Sequence, residues 1–204
     1  MPLRLAVLLS GNGSTLQNIL DHIDGGHLDA TVEVVLSSRE GVFGLERAQQ
    51  RDIPAVAVPR KQYDDAEAFN TALWEALAPH EFDLVVLAGF MSLIHVPDQY
   101  KNKMINVHPA LIPAFSGKGM YGHHVHQAVL DYGCKITGAT VHIVDEHYDH
   151  GPIILQEAVP VFDSDTADTL AERVQAKERE LYPRAIQLFA GNRIRVEGRH
   201  VRIE

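Results

Sequence analysis

A single cysteine in 204 residues leaves no internal disulfide, and Cys134 stands between Gly133 and Lys135 with no metal-binding or redox spacing around it. No apolar run approaches the roughly 18 residues that a membrane-spanning helix needs. The short run Leu5 to Leu9 lacks the length and cleavage context of a signal peptide, so a cytoplasmic protein is expected. Positive charge is also short: 18 Lys and Arg stand against 27 Asp and Glu, for a formal net charge of -9. The basic residues are scattered, apart from an alternating tail at Arg193, Arg195, Arg199 and Arg202. Without a basic stripe, the phosphate contacts that supply most nucleic-acid affinity are missing. Small molecules are therefore the expected partners, with no nucleic acid and no membrane. Internal repeats, low-complexity segments and linkers are absent as well.

What is present is an ordinary globular composition, 46% hydrophobic and 22% charged, in a length that suits one domain. Four near-continuous apolar runs, Leu5 to Leu9, Val32 to Leu36, Ala55 to Val58 and Leu84 to Leu87, read as strands buried on both faces. Helical patterns lie between them, from Ser14, over Phe43 to Gln50, and over Asp65 to Ala78, where Phe69, Leu73 and Leu77 share a face. This alternation predicts an α/β fold with a doubly wound, mostly parallel sheet, which binds ligands at the carboxyl ends of its strands.

A fifth strand, Met104 to Val107, is followed by a Pro/Gly-rich loop from Pro109 to Gly122 and a helix over His123 to Tyr132. Lys135 to Val144 and Ile153 to Val161 read as antiparallel strands, because their connection is too short for a crossover helix. A long helix is expected over Thr166 to Ala190, disturbed near Pro183, and then a hairpin turning at Glu197-Gly198. One domain, 1–204, is expected, with a phosphate-binding half over 1–103 and a catalytic half over 104–204.

Three stretches carry chemistry. In Asn106-Val107-His108-Pro109 an amide and an imidazole lie two residues apart at a strand end, hence on one face. Such a pair suits acyl transfer: Asn106 donates to a developing oxyanion, His108 donates or shuttles a proton, and a carboxylate such as Asp149 raises the imidazole pKa. Gly11-Asn12-Gly13-Ser14-Thr15 follows a strand and opens a helix, the arrangement that receives a phosphate; a plain turn capped by Ser14 is the other reading. It is not the dinucleotide fingerprint, because Leu16 takes the place of the third glycine and Ser37-Ser38-Arg39, with no acid, ends the second strand. Glu178 lies in a helical stripe with Val174 and Leu181, where a carboxylate is costly unless it is paired in a salt bridge or bound to a ligand hydroxyl. The histidines at 123, 124, 126, 147 and 150 lack metal-ligand spacing and read as helix start and polar loop, so no metal is expected.

Ser10-Gly11-Asn12-Gly13-Ser14, Leu87-Ala88-Gly89-Phe90-Met91, Asn106-Val107-His108-Pro109 and Asp149-His150-Gly151-Pro152-Ile153-Ile154-Leu155-Gln156, in that order, resemble the folate-dependent formyltransferases. The glycine loop, the total length and Gln175 to Glu178 resemble the phosphoribosylglycinamide formyltransferase branch. The resemblance implies transfer of a formyl group from 10-formyltetrahydrofolate, as co-substrate, to the amine of glycinamide ribonucleotide in purine biosynthesis, without a metal, by a monomer or homodimer. It implies that Gly11, Asn12, Gly13, Ser14 and Thr15 hold the phosphate and Glu178 the ribose hydroxyls. Met91, Ser92, Leu93, Ile94, Asn106 and the loop from Asp145 to Asp149 frame the folate, and Asn106, His108 and Asp149 are catalytic. Ser92 stands where many members carry Arg, Ala66 where some place an Arg for the folate tail, and His150 where a small residue is common.

Two other functions fit parts of this pattern. A formyltetrahydrofolate hydrolase has a similar loop after its Asn-x-His, but it carries a regulatory domain in front; with Met1 almost on the first strand, none is expected here. A nucleotide-binding Rossmann-like module or oxidoreductase would use the same sheet, but it needs the glycine fingerprint and ribose-binding acid that this chain lacks.

Overall fold

The computed structural model describes residues 1–204. Two compact units, Met1–Ile105 and Asn106–Glu204, divide the chain. Seven strands follow the order β3 (Ala55–Ala57), β2 (Ala30–Ser37), β1 (Leu3–Leu9), β4 (Leu84–Leu87), β5 (Met104–His108), β6 (Ile136–Ile143) and β7 (Ile153–Pro160), and a separate two-stranded ribbon pairs β8 (Ile194–Glu197) with β9 (His200–Ile203).

In the first unit β1 (Leu3–Leu9), α1 (Ser14–Asp24), β2 (Ala30–Ser37), α2 (Phe43–Gln49), β3 (Ala55–Ala57), α3 (Ala66–Leu77) and β4 (Leu84–Leu87) alternate as the apolar runs predict. β1 pairs in parallel with both β2 and β4, placing Leu5 opposite Val32 and Leu84. Leu5 to Leu9 are fully buried, and Phe69, Leu73 and Leu77 of α3 turn their common face inward at no more than 1% exposure. Because the chain leaves β1 for β2 on one side and returns to β4 on the other, the loops after β1 and β4 meet where the strand order reverses, which is where doubly wound sheets hold ligands.

β5 (Met104–His108) leads into the second unit, which contains α4 (His123–Tyr132), β6 (Ile136–Ile143), β7 (Ile153–Pro160), α5 (Ala167–Ala190), β8 (Ile194–Glu197) and β9 (His200–Ile203). β6 and β7 are antiparallel, as their short connection requires. α5 begins at a capping box on Thr166 and Thr169. It continues through Pro183, contrary to the expected disturbance. Tyr182, Ala185 and Ile186 beside the proline are at most 1% exposed, and burial of this kind holds a helix together across a missing N–H. Glu197 pairs with His200 across the two-residue turn Gly198-Arg199, with Gly198 at φ 60. No helix is long and apolar enough to cross a membrane.

Candidate active site

The imidazole of His108 sits at the end of β5, and its Nε2 lies 2.8 Å from the carbonyl oxygen of Phe115. A carbonyl only accepts, so Nε2 carries a proton and Nδ1 is the nitrogen left to gain or lose one. Nδ1 faces Asp149 Oδ2 at 3.4 Å, with side chains 4% and 11% exposed. Asp149 Oδ2 also accepts the N–H of Gly117 at 3.0 Å. The carboxylate is thus held from the loop that follows His108 and aimed back at the ring.

Burial pushes the His108 pKa down, and this outweighs the upward pull of Asp149 and of the Phe115 carbonyl; His142 adds a further push down. The sequence expectation of a raised imidazole is corrected on this point. Asp149 pulls in the expected direction, but the depth of the ring wins. Asp149 itself lies below the usual carboxylate range: burial pushes it up, and His142, His108 and the Gly117 N–H more than reverse that. The resting pair at neutral pH is a neutral imidazole beside a carboxylate, and Asp149 offsets part of what burial costs when the ring takes up charge.

Asn106 points its Nδ2 at His142 Nε2, 3.3 Å away. His142 in turn places Nδ1 2.9 Å from the carbonyl of Ile143, so Nδ1 is its protonated nitrogen and Nε2 its acceptor. This contact sets which end of the Asn106 amide is the donor, leaving its second N–H for a ligand oxygen. His142 Nε2 is also 3.7 Å from Asp149 Oδ1. One buried histidine on β6 therefore orients the amide and flanks the carboxylate. Behind them, the buried hydroxyl of Thr140 donates to the Ala110 carbonyl at 2.6 Å and accepts from Ile112 N–H and from Gln156 Nε2. These bonds anchor the chain just after His108.

The acidic loop is shaped by backbone. Asp149 has φ 52, a left-handed conformation uncommon outside glycine. A Cβ on Gly151 would lie 1.9 Å from the Ile143 carbonyl oxygen. Only glycine fits there, and it lets the loop press against the end of β6.

In the first unit the loop after β1 holds Gly13 at φ 72, where a Cβ would come within 2.7 Å of Gly44 Cα. Gly13 occupies the cap position of α1 and no side chain caps the helix. The reading of a turn capped by Ser14 is therefore corrected: Ser14 is the first helical residue. Helix geometry leaves the N–H groups of Ser14, Thr15 and Leu16 without an intrahelical acceptor, and such groups receive anions. Arg47 of α2 donates from Nε to the Asn12 carbonyl at 3.0 Å and from Nη1 to Gln17 Oε1 at 2.8 Å, placing a cation beside the loop. Ser10 Oγ, 2.6 Å from Ser38 Oγ, accepts the Met91 N–H at 2.9 Å and ties the loops after β1 and β4 together. Asn70 holds the following segment through Leu93 O and His95 N–H. Met91 and Leu93 are 41% and 39% exposed, Ser92 is half-buried, and Ile94 faces the core.

Glu178 of α5 is half-buried, forms no salt bridge, and has its pKa pushed up to about 7 by burial, with Arg179 pulling weakly the other way. The remaining histidines do not act as one group. His123 pairs with Asp168 at 2.6 Å, and His126 is buried with Nδ1 unpartnered.

Sequence reasoning missed His142 and Arg47, and the backbone groups of Phe115 and Gly117. A histidine between Val141 and Ile143 at the end of β6 was the available signal for the first; the backbone groups leave none.

Residues 3–186 match the family described as formyl transferase. The chain belongs to that family. Among its relatives, the trifunctional purine biosynthetic protein adenosine-3 of Bos taurus is 42% identical over 195 residues, covering 95% of this chain and 19% of that protein. The chain thus spans about a fifth of the trifunctional relatives it matches. The phosphoribosylglycinamide formyltransferase of Escherichia coli K12 is 37% identical over 196 residues, covering 95% of this chain and 90% of that one. The crystal structure of glycinamide ribonucleotide transformylase 1 from Symbiobacterium toebii superposes with a TM-score of 0.91 at 43% identity, covering 99% of this chain and 94% of that one. The family's sheet is the doubly wound, mostly parallel one expected from the apolar runs.

Proposed function

We propose that this formyl transferase moves the formyl group of 10-formyltetrahydrofolate to the amine of glycinamide ribonucleotide, as one domain working in the cytoplasm. The observation that carries the chemistry is the set of buried His108 and His142 with half-buried Asn106 and Asp149, in which a donor amide, a titratable imidazole and a carboxylate converge. The amine attacks the formyl carbon and forms the new C–N bond. The attacking amine gives a proton to His108 Nδ1, and the carbonyl oxygen becomes an oxyanion that accepts from the free Asn106 N–H and from that Nδ1–H. Collapse breaks the bond to folate nitrogen N10, which takes up the proton that the amine gave, and Asp149 carries that exchange. Gly11 to Thr15 would hold the phosphate, with Gly13 setting the turn and Arg47 adding charge. The Glu178 carboxylate would accept from the ribose hydroxyls, and the segment Met91 to Ile94 and the loop from Asp145 to Asp149 would frame the folate. The names of the relatives support the choice of acceptor.

The test is folate release followed spectrophotometrically with and without glycinamide ribonucleotide. Release that depends on the ribonucleotide is expected. Equal release without it would make water the acceptor and the protein a hydrolase; no release in either case would overturn the formyl-transfer reading.

A further inference from the structure

The loop between β6 and β7, which would frame the folate, also holds three side chains to which the transfer step assigns no proton or bond. Asp145, His147 and His150 each offer one ligand atom, and the three atoms lie within 4.8 Å of one another. Asp145 Oδ2 is 2.8 Å from His150 Nδ1. Asp145 Oδ1 accepts the His147 N–H at 2.9 Å, and the two imidazole rings have their centroids 5.4 Å apart. From the ribbon turn, Arg199 donates to the His150 carbonyl at 2.7 Å and places Nη1 3.5 Å from His150 Nε2. This anchors His150 and turns Nδ1, not Nε2, toward Asp145.

We infer that Asp145, His147 and His150 form a binding site for a borderline divalent transition ion of the zinc class. Two imidazole nitrogens and a carboxylate oxygen are a zinc-type donor set, whereas magnesium and calcium select oxygen ligands. Two donors about 2.1 Å from a tetrahedral ion stand about 3.4 Å apart, so the Asp145 Oδ2 to His150 Nδ1 separation of 2.8 Å opens by only about half an ångström to admit one. The wider spacing to His147 closes by rotation of an exposed side chain. All three ligands come from six consecutive residues, Asp145 to His150, so little chain entropy opposes chelation. With the ion on His150 Nδ1 the neutral ring carries its proton on Nε2, and the 3.5 Å approach of Arg199 Nη1 to that nitrogen gives way. The Arg199 guanidinium opposes a cation at the site, and it faces the other nitrogen of the His150 ring.

The site has a consequence for Asp149, which lies in the chain between the two histidine ligands and has φ 52. Drawing His147 and His150 onto one ion reshapes the turn that aims Asp149 Oδ2 at His108 and at the Gly117 N–H. The ion is an inhibitor of the loop and takes no part in the reaction. The binding does not depend on the formyl-transfer reading; only the inhibition does.

The experiment is calorimetric titration of the full chain with Zn²⁺ in a non-chelating buffer containing excess Mg²⁺, repeated for His147→Ala and His150→Ala, with circular dichroism confirming that each variant is folded. One site of micromolar strength is expected, with each variant weakening it by about tenfold or more. No zinc binding below millimolar concentration, or binding that both variants leave unchanged, overturns the site. In the folate-release assay Zn²⁺ should slow the parent chain, and His150→Ala should be markedly less sensitive relative to its own zinc-free rate. Equal sensitivity overturns the effect on the loop while the titration still decides the site.

Discussion

Asp149→Asn is the substitution that separates a charge from a shape. Asparagine keeps the size of the side chain and, through Oδ1, the acceptor for the Gly117 N–H at 3.0 Å, but it removes the negative charge 3.4 Å from His108 Nδ1. At an effective dielectric of about 20, a unit pair at that separation interacts by about 5 kcal/mol, a ceiling because relaxation and water screen part of it. Burial already holds His108 below its ordinary pKa, and Asp149 is the main charge opposing that. The variant imidazole must titrate lower still. At neutral pH the protonated ring becomes scarcer, and kcat is expected to fall by about 10² to 10⁴, the range of a lost acid/base function.

Steady-state folate release with saturating ribonucleotide measures the loss, and NMR titration of the His108 ring measures its cause. KM for the ribonucleotide should move little. The residual rate should climb as pH falls, since acid restores the ring proton that the carboxylate no longer favours. A kcat within about tenfold of the parent, or a His108 titration unmoved by the substitution, would refute the coupling. The same groups set acid stability. The folded pKa of His108 is depressed, so its contribution is present above the unfolded value of about 6.5 and is lost as pH falls through the folded value. Asp149, also depressed, contributes above the unfolded value of about 3.9 and loses its share further down.

His142→Ala should lower kcat by about tenfold to a hundredfold, as a misaimed oxyanion donor does, because the Asn106 amide loses the acceptor that orients it at 3.3 Å; a normal kcat in the folded variant would remove His142 from the account. Gly151→Ala drives a Cβ into the Ile143 carbonyl, so a loss of about 1 to 3 kcal/mol in denaturant unfolding and a displaced Asp149 with low activity are expected, and an unchanged midpoint would contradict the packing. For Glu178 the folded pKa of about 7 means the carboxylate forms only as pH rises through that value. KM for the ribonucleotide should accordingly fall over this interval in the parent, and more weakly in Glu178→Gln, which retains only the change due to the phosphate. The sign for stability is opposite: a raised carboxyl favours the fold below its unfolded pKa and loses that advantage as pH rises through about 7, so the melting-temperature difference between Gln and parent should grow in favour of Gln at alkaline pH.

What could be read from the chain divides along a physical line. Strands buried on both faces announce themselves as continuous apolar runs, which is why β1, β2 and β4 stand where Leu5, Val32 and Leu84 suggested. Asn106 and His108 were legible because a two-residue spacing on a strand is a local fact. The rest of the site depends on contacts made at a distance. His142 meets Asn106 across 36 positions, and Phe115 and Gly117 act through backbone atoms common to every residue. Pro183 misled because helix-breaking is a local tendency, whereas the burial around Tyr182 and Ile186 is tertiary. The His108 pKa misled for the same reason: the partner that raises it has a sequence signature, and the burial that lowers it more does not. Local pattern thus names the groups able to react, while depth within the fold decides their resting charge. The charge on His108 is set as much by its burial at the end of β5 as by the carboxylate aimed at it.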